Sequence, residues 1–397
     1  MTLDKIYHAA YVLKDVARKT DLFRAPVIFP DNEVFLKTEN LQVTGSFKVR
    51  GAYYKISQLS DEQKKKGVIA CSAGNHAQGV ALAAQKHNIK SIICIPEGAP
   101  ISKVEATRSY GAQVELVKGV YDDAYKRAIE LRDETGMEFI HPFNDKMVIA
   151  GQGTIGLEIL EQLSDVDSVI VPIGGGGLIS GIAFAIKSLK PECKIYGVQA
   201  TGAASMYNSI CNGAIQTLDG VSTIADGIAV KTPGDVSFEL VSKYVDKIVT
   251  VTDDEVATAI LAMMEKQKLV AEGAGAVSVA AAMFNKVPLK GKNTVCLISG
   301  GNIDVTILSR VISRGLLTSG RSAKFTLDLS DKPGQLEEVS CIIAATGGNV
   351  VSVHHDRSGE GKDLNSCTLS LEVETRNKEH IQDIRKSLIH AGFQFEN

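Results

Sequence analysis

The chain has 397 residues, 22% of them charged and 6% aromatic, and a formal net charge of −3 at pH 7. This describes a globular protein of two or three domains with sizeable cores, and its interspersed charges offer neither a basic stripe for nucleic acid nor a polybasic patch for a membrane. Seven cysteines, with no CxxC pair, suggest neither a disulfide framework nor a zinc site, and reduced thiols are the economical reading.

Charged residues Asp4, Lys5, Lys14, Asp15, Arg18 and Lys19 interrupt the N-terminal apolar positions. That excludes the uncharged core of a signal peptide, and a cytoplasmic location is expected. Helical spacing of apolar residues predicts an opening helix over 3–19, and 34–37 reads as a short strand. Then comes Thr44-Gly45-Ser46-Phe47-Lys48-Val49-Arg50-Gly51, where small residues and an aromatic ring bracket a lysine. Held facing a cavity, such an amine has its pKa lowered by desolvation and a neighbouring cation, and can serve as nucleophile and base. The competing reading is an ordinary surface lysine at the start of a helix running to Ile56.

A buried strand over 67–70 leads into Cys71-Ser72-Ala73-Gly74-Asn75-His76-Ala77-Gln78-Gly79 and a helix over 80–87. Strand, small-residue turn and helix can point backbone N–H groups at a carboxylate or phosphate, although Ser72 and Asn75 are also ordinary helix caps. Strands over 91–96 and 113–117 alternate with helices over 102–110 and 121–135, the pattern of a parallel sheet covered by helices. Gly151, Gly153 and Gly156 match the dinucleotide fingerprint, but no acidic residue ends the next strand, 169–173. They are read as close-packing positions at the start of a helix ending near Leu163.

Gly174, Gly175, Gly176, Gly177 and Leu178 link that strand to a helix over 179–189. Pro172, these glycines and Gly181 also rule out a membrane span over 168–186. Four residues without side chains let successive N–H groups converge on a phosphate at a helix N-terminus; the alternative is a flexible turn. Strands over 194–199 and 247–251, the turn Ala225-Asp226-Gly227 and a Thr252/Glu255 capping box follow. The strand 294–298 then delivers Ser299-Gly300-Gly301-Asn302 to the carboxyl edge of the sheet, where all four special turns are expected to lie.

Taken together, Ser46-Phe47-Lys48-Val49-Arg50-Gly51, Ser72-Ala73-Gly74-Asn75-His76, Gly174 to Leu178 and Ser299-Gly300-Gly301-Asn302 closely resemble the pyridoxal-phosphate threonine dehydratases. The resemblance covers about the first 318 residues and implies the tryptophan-synthase-beta-like α/β fold (fold type II), two open parallel-sheet subdomains with the smaller, roughly 46–148, inserted in the larger. It implies pyridoxal 5′-phosphate as cofactor, carried by Lys48 as a Schiff base, with Phe47 near the ring, Asn75 at the phenolic oxygen and Gly227 against the ring. Gly174, Gly175, Gly176, Gly177 and the Leu178 amide would hold the phosphate, and Ser299 would face the pyridine nitrogen. Ser72, Gly74, Asn75 and His76 would take the carboxylate of an amino-acid substrate, without a proton-transfer role for His76. The implied activity is an L-threonine ammonia-lyase giving 2-oxobutanoate, and pyruvate from L-serine. Rivals are a serine racemase, a β-replacing synthase, and an amino-acid-sensing protein on such a scaffold. Related racemases carry a serine in the position of Ala73 and hold a divalent ion through carboxylates in a loop that here, over 199–205, has none; no metal is expected.

After the polar linker 318–322, a second domain is expected over 323–397: strand 324–329, helix 335–346, strands 349–356 and 366–374 across the hairpin Ser358-Gly359-Glu360-Gly361, helix 378–391 and strand 393–395. That order, βαββαβ, is the ferredoxin-like plan. Asp331-Lys332-Pro333-Gly334-Gln335-Leu336 with Gly348-Asn349-Val350 resembles the ACT regulatory module. The resemblance implies an amino-acid or nucleotide effector near Pro333, Gly334 and Asn349 in a homo-oligomer, most simply a tetramer; the alternative is a module for assembly only. His354 and His355 alternate along a strand and should not share an ion.

Overall fold

The computed structural model describes residues 1–357 and 365–396, so the expected hairpin at Ser358-Gly359-Glu360-Gly361 lies outside the described residues. The chain divides into two compact units, Met1–Leu308 and Ser309–Asn397. The boundary expected from the sequence, after Thr318, lies at the end of a helix, Val305–Thr318, within which the two units divide.

Ten strands build the first unit: β1 (Leu22–Arg24), β2 (Val34–Thr38), β3 (Val68–Cys71), β4 (Ser91–Pro96), β5 (Gln113–Val117), β6 (Glu138–Phe139), β7 (Ser168–Pro172), β8 (Lys194–Ala200), β9 (Lys247–Val251) and β10 (Thr294–Ile298). They form two sheets, as the resemblance implies, ordered β1-β2-β10-β7-β8-β9 and, from strands within 68–139, β5-β4-β3-β6. Every pairing is parallel except β1 on β2. Each residue of β3, β7 and β10 is buried, as strands covered by helices on both faces require. Each fully buried Val or Ile there contributes about 1.5–3 kcal/mol.

The helix Lys48–Ser57 is held by the long helix Lys146–Gln162. A Cβ on Gly151 would lie 2.6 Å from Arg50 O, one on Gly153 would lie 2.8 Å from Ile6 Cδ1, and one on Gly156 would lie 3.1 Å from Ala185 Cβ. The three glycines therefore form a packing seam against three other helices, but in the middle of their helix, not at its start. The opening helix is shorter than expected, Leu3–Leu13, whereas the helix after β3 starts earlier, at Asn75.

The second unit adds β11 (Ser322–Ser330), β12 (Asn349–Asp356), β13 (Ser366–Glu374) and β14 (Gln394–Phe395), an antiparallel sheet ordered β12-β13-β11-β14. Alternation along β11 sends Ala323, Phe325, Leu327 and Leu329 into a core with Val339, Ile343, Ile384 and Leu388 of the two helices. This is the ferredoxin-like plan expected from the sequence. One grouping was not foreseen: ligand-type atoms of Asp331, His355 and Cys367 lie within 4.8 Å of one another. Asp331 already pairs with Arg357 at 3.2 Å, and the Cys367 thiol donates to Leu329 O at 3.7 Å.

Candidate active site

The special turns do not share one sheet edge. Ser72 to Asn75 follow β3 of the smaller sheet, while Gly174 to Gly177 follow β7 and Ser299 follows β10 of the larger sheet. They meet across a cavity of about 790 Å³ between the two sheets, whose lining includes Phe47, Lys48, Ser72, Gly74, Asn75, His76, Gly174, Gly175, Gly176, Gly177, Leu178, Gly227 and Ser299. The volume is that of a small-molecule or cofactor site.

Lys48 is the first residue of its helix, and its Nζ donates to Pro142 O at 2.9 Å. Burial brings its ammonium down to about 8, against the opposing charge of Glu272. The expected neighbouring cation is thus replaced by an anion, and desolvation alone lowers the amine. Phe47 donates its N–H to Ser299 O at 3.1 Å, and its ring centroid lies 5.3 Å from the Lys48 nitrogen. The segments that follow the neighbouring strands β2 and β10 are thereby tied together at the lysine.

At Gly175, Gly176 and Gly177 the close approach of neighbouring atoms leaves no room for side chains. A Cβ on Gly177 would lie 2.5 Å from Phe143 O, one on Gly175 would enter the Phe143 ring, and Gly176 has φ +99°. The helix Gly177–Leu189 starts at this loop and adds its N-terminal field. A phosphate cradle beside a low-pKa lysine fits pyridoxal 5′-phosphate. The flexible-turn alternative does not fit a loop so closely packed.

Opposite, Ser72 Oγ accepts from Gly74 N at 3.1 Å, and Asn75 Nδ2 donates to Glu272 Oε1 at 2.6 Å. His76 is buried with Nε2 donating to Ile140 O at 2.8 Å, and burial followed by the charge of Lys48 pushes it down to about 3. It therefore stays neutral. Ser299 Oγ donates to Ala274 O at 3.3 Å. Gly227 packs so that a Cβ would lie 3.0 Å from Ala274 Cβ. Two ion pairs bridge the halves beside the cavity: Lys103 with Asp226 at 2.6 Å and Lys231 with Asp122 at 3.6 Å.

Glu272 is a cavity residue that sequence reasoning missed. Its signal was available, since it is the last charge before an uncharged run, 273–285, whose residues 273–282 are the buried part of a helix, Gly273–Met283. A carboxylate at the head of such a helix is carried inward with it.

In the second unit, the expected effector residues are not brought together within one chain. Pro333 and Gly334 follow the Ser330 end of β11, which pairs with Ser366, whereas Asn349 pairs with Glu374 at the Ser322 end. Antiparallel register sets these ends about 26 Å apart, at eight residues of about 3.3 Å rise. Asn349 Nδ2 donates to Glu374 Oε2 at 2.9 Å, and Gly334, at φ +92°, precedes the helix Gln335–Thr346.

A family described as pyridoxal-phosphate dependent enzyme matches residues 13–300. An L-threonine ammonia-lyase of Thermotoga maritima is 50% identical over 396 residues, spanning 99% of this chain and 98% of its own. Among solved structures, the processed form of threonine deaminase isoform 2 from Solanum lycopersicum superposes with a TM-score of 0.75 at 39% identity, over 80% of this chain and 90% of its own. Maize serine racemase gives 0.74 at 36%, over 80% and 98%. With a cavity that fits the cofactor and relatives of this closeness, the chain belongs to the pyridoxal-phosphate-dependent enzymes, in the branch that holds the L-threonine ammonia-lyases, and takes pyridoxal 5′-phosphate as its cofactor.

Proposed function

We propose that the protein is an L-threonine ammonia-lyase that eliminates water and then ammonia from L-threonine to give 2-oxobutanoate, and converts L-serine to pyruvate. The observation that carries this reading is the buried Lys48 amine, at about 8, facing the same cavity as the glycine cradle and the neutral hydroxyl of Ser299. The bound cofactor supplies an electron sink for the α-carbon. Lys48, neutral in an appreciable fraction near pH 7, takes the α-proton. Ser299 presents a hydroxyl where a carboxylate would enforce ring protonation, which weakens the sink and favours prompt loss of the β-hydroxyl over a long-lived carbanion. The Cβ–O bond breaks as the Cα–Cβ double bond forms, the leaving hydroxyl gains a proton that balances the one Lys48 took from the α-carbon and departs as water, and the released enamine hydrolyses to keto acid and ammonia.

Ser72, Gly74, Asn75 and His76 orient the substrate carboxylate in this reading, through their turn and the start of the helix Asn75–Lys86. His76 has no proton role, since its Nε2 is committed to Ile140 O. The second unit is assigned as an ACT-type regulatory module, taking an aliphatic amino acid such as isoleucine or valine, or a nucleotide such as AMP. Because Gly334 and Asn349 lie at opposite ends of one sheet, a composite effector site needs two copies of the chain, and a homotetramer is the proposed assembly. A cytoplasmic location belongs to the same reading; among the described residues no helix is long and apolar enough to cross a membrane. Keto-acid release from a panel of amino acids, with and without candidate effectors, tests the assignment. Failure to release 2-oxobutanoate from L-threonine by the cofactor-loaded protein would sink it.

A further inference from the structure

Glu272 lines the cavity, is 4% exposed, and has no task in the reading above. Its Oε1 accepts from Asn75 Nδ2 at 2.6 Å, while Asn75 Oδ1 accepts from Asn302 Nδ2 at 2.8 Å. Asn302 Nδ2 also donates to Thr44 O at 2.8 Å, so its nitrogen is fixed from both sides. A flipped Asn75 amide would set oxygen against carboxylate and nitrogen against nitrogen, so the two neighbours dictate one orientation. What remains for a ligand is the second N–H of Asn75.

The carboxyl is also an electrostatic element of the cavity. Glycine backbone presses on it: a Cβ on Gly300 would collide with it, and one on Gly227 would lie 3.4 Å from Oε1. Its ionisable neighbours are Asp226 beside Gly227, Lys103 from the helix Ile101–Ser109, and Lys48. Lys48 in turn acts on His76 and His141, both held neutral by burial, at about 3 and about 4. Burial, then the charge of Asp226, pushes Glu272 up to about 7. Glu272 and Lys48 line the same cavity, and the ionised carboxylate favours the cationic form of Lys48 against the lysine's burial.

We propose that Glu272 is a positioning residue with two tasks, orienting the Asn75 amide toward the cofactor and serving as the buried counter-charge of the Lys48 nitrogen. This rests on the assignment of Lys48 and Asn75 to pyridoxal 5′-phosphate. Two substitutions separate the tasks. Glu272→Gln keeps an acceptor for Asn75 and removes the charge; Glu272→Asp keeps the charge and withdraws from Asn75.

The test follows uptake of pyridoxal 5′-phosphate by the cofactor-stripped, full-length protein through the rise in visible absorption, as a function of pH. Only the neutral amine attacks the aldehyde, so the pH of half-maximal rate reports the Lys48 ammonium. Glu272→Gln should shift that midpoint down by about one pH unit, because the cation loses its counter-charge. Glu272→Asp should keep the wild-type midpoint but need about tenfold more cofactor for half saturation, the loss of one hydrogen bond. An unshifted midpoint in the Gln variant overturns the counter-charge, and an unchanged half-saturation in the Asp variant overturns the orienting task. A midpoint shift is not expected from a merely structural residue. Should the Gln variant fail to fold, the Asp variant still decides the second task. Neither readout involves an amino-acid substrate, so the proposed activity can fail without affecting this test, and the reverse holds.

Discussion

Arg50, two residues beyond Lys48, forms a fork with Glu39 that is sealed from solvent, its Nε reaching Oε2 and its Nη2 reaching Oε1, both at 2.8 Å. The same guanidinium holds Glu158 at 2.6 Å and donates to Thr154 and to Arg18 O. Burial alone would push Glu39 up, but the charge and hydrogen bonds of Arg50 hold its carboxyl below the usual range. The lysine's helix is thereby pinned to the turn that follows β2, Glu39–Leu41, and to the helix Lys146–Gln162. Removing one partner leaves the other charged and buried, so Arg50→Met should cost about 3–5 kcal/mol in urea unfolding. The double variant with Glu39→Gln should recover part of this loss. Because the Glu39 pKa is lowered on folding, its contribution is present above about pH 4.5 and lost below it, as pH falls through the folded value. A loss under about 1 kcal/mol, the range of an exposed pair, would show that the fork adds little.

Lys48→Ala should abolish turnover, by at least about a thousandfold, without unfolding the protein. The side chain makes one hydrogen bond, to Pro142 O, and its removal relieves a desolvated amine. The check is keto-acid release together with circular dichroism and the visible band of bound cofactor. A folded variant that kept more than a small fraction of activity would remove Lys48 from the reaction.

Elimination should dominate over racemisation. Returning a proton to the face opposite Lys48 needs an acid there, and Ala73, in the cavity lining, has none to give. The segment 199–205 contains no carboxylate, and Gln199 occupies it by donating to Ala203 O at 3.1 Å and accepting from Tyr207 N at 2.8 Å. D-serine should form from L-serine at least about a hundredfold more slowly than pyruvate, and Ala73→Ser should narrow the gap. Comparable rates in the unmodified enzyme would contradict the assignment.

The pH dependence of stability carries a signature of Glu272. Its folded pKa, about 7, lies above the ordinary 4.5, so between those values the folded state holds a proton that the unfolded chain has released. Stability therefore falls as pH rises through that window. In the cofactor-free protein, Glu272→Gln should have a higher Tm than the parent above pH 7 and lose this part of the slope. Parallel Tm profiles from pH 4.5 to 8 would mean that Glu272 is ionised throughout.

Control should depend on Gly334. A side chain there meets no atom within 4 Å, but φ is +92°, so Gly334→Asp strains the loop without crowding it. The variant should remain folded and active while losing effector response, and a chain ending at Leu317 should behave likewise. Threonine saturation with each candidate effector, alongside masses in solution, reads this out. Equal effector sensitivity in the full-length and shortened chains would locate control in the first unit.

What the amino-acid order determined by itself is local. The strand, turn and helix units at Ser72, Gly174 and Ser299, the capping box at Thr252, which accepts from Glu255 N at 3.2 Å, and the alternation of β11 all arise within a dozen residues. Periodicity and missing side chains are enough to reveal them. Which strands are neighbours within a sheet was not legible, because a run buried on both faces carries no record of its neighbour, and the turns expected on one sheet edge stand on two sheets. Glu272 stayed hidden because its partner Asn75 lies 197 residues away, and the Asn302 that completes the arrangement lies 227 residues from Asn75. Motif alone associates Asn349 with Gly334, and only antiparallel register shows that the two stand at opposite ends of one chain's sheet. Tertiary packing also decided the state of Lys48. The motif placed the amine at a helix start, but burial beside a single carboxylate, with no cation near enough to act, brings it to about 8.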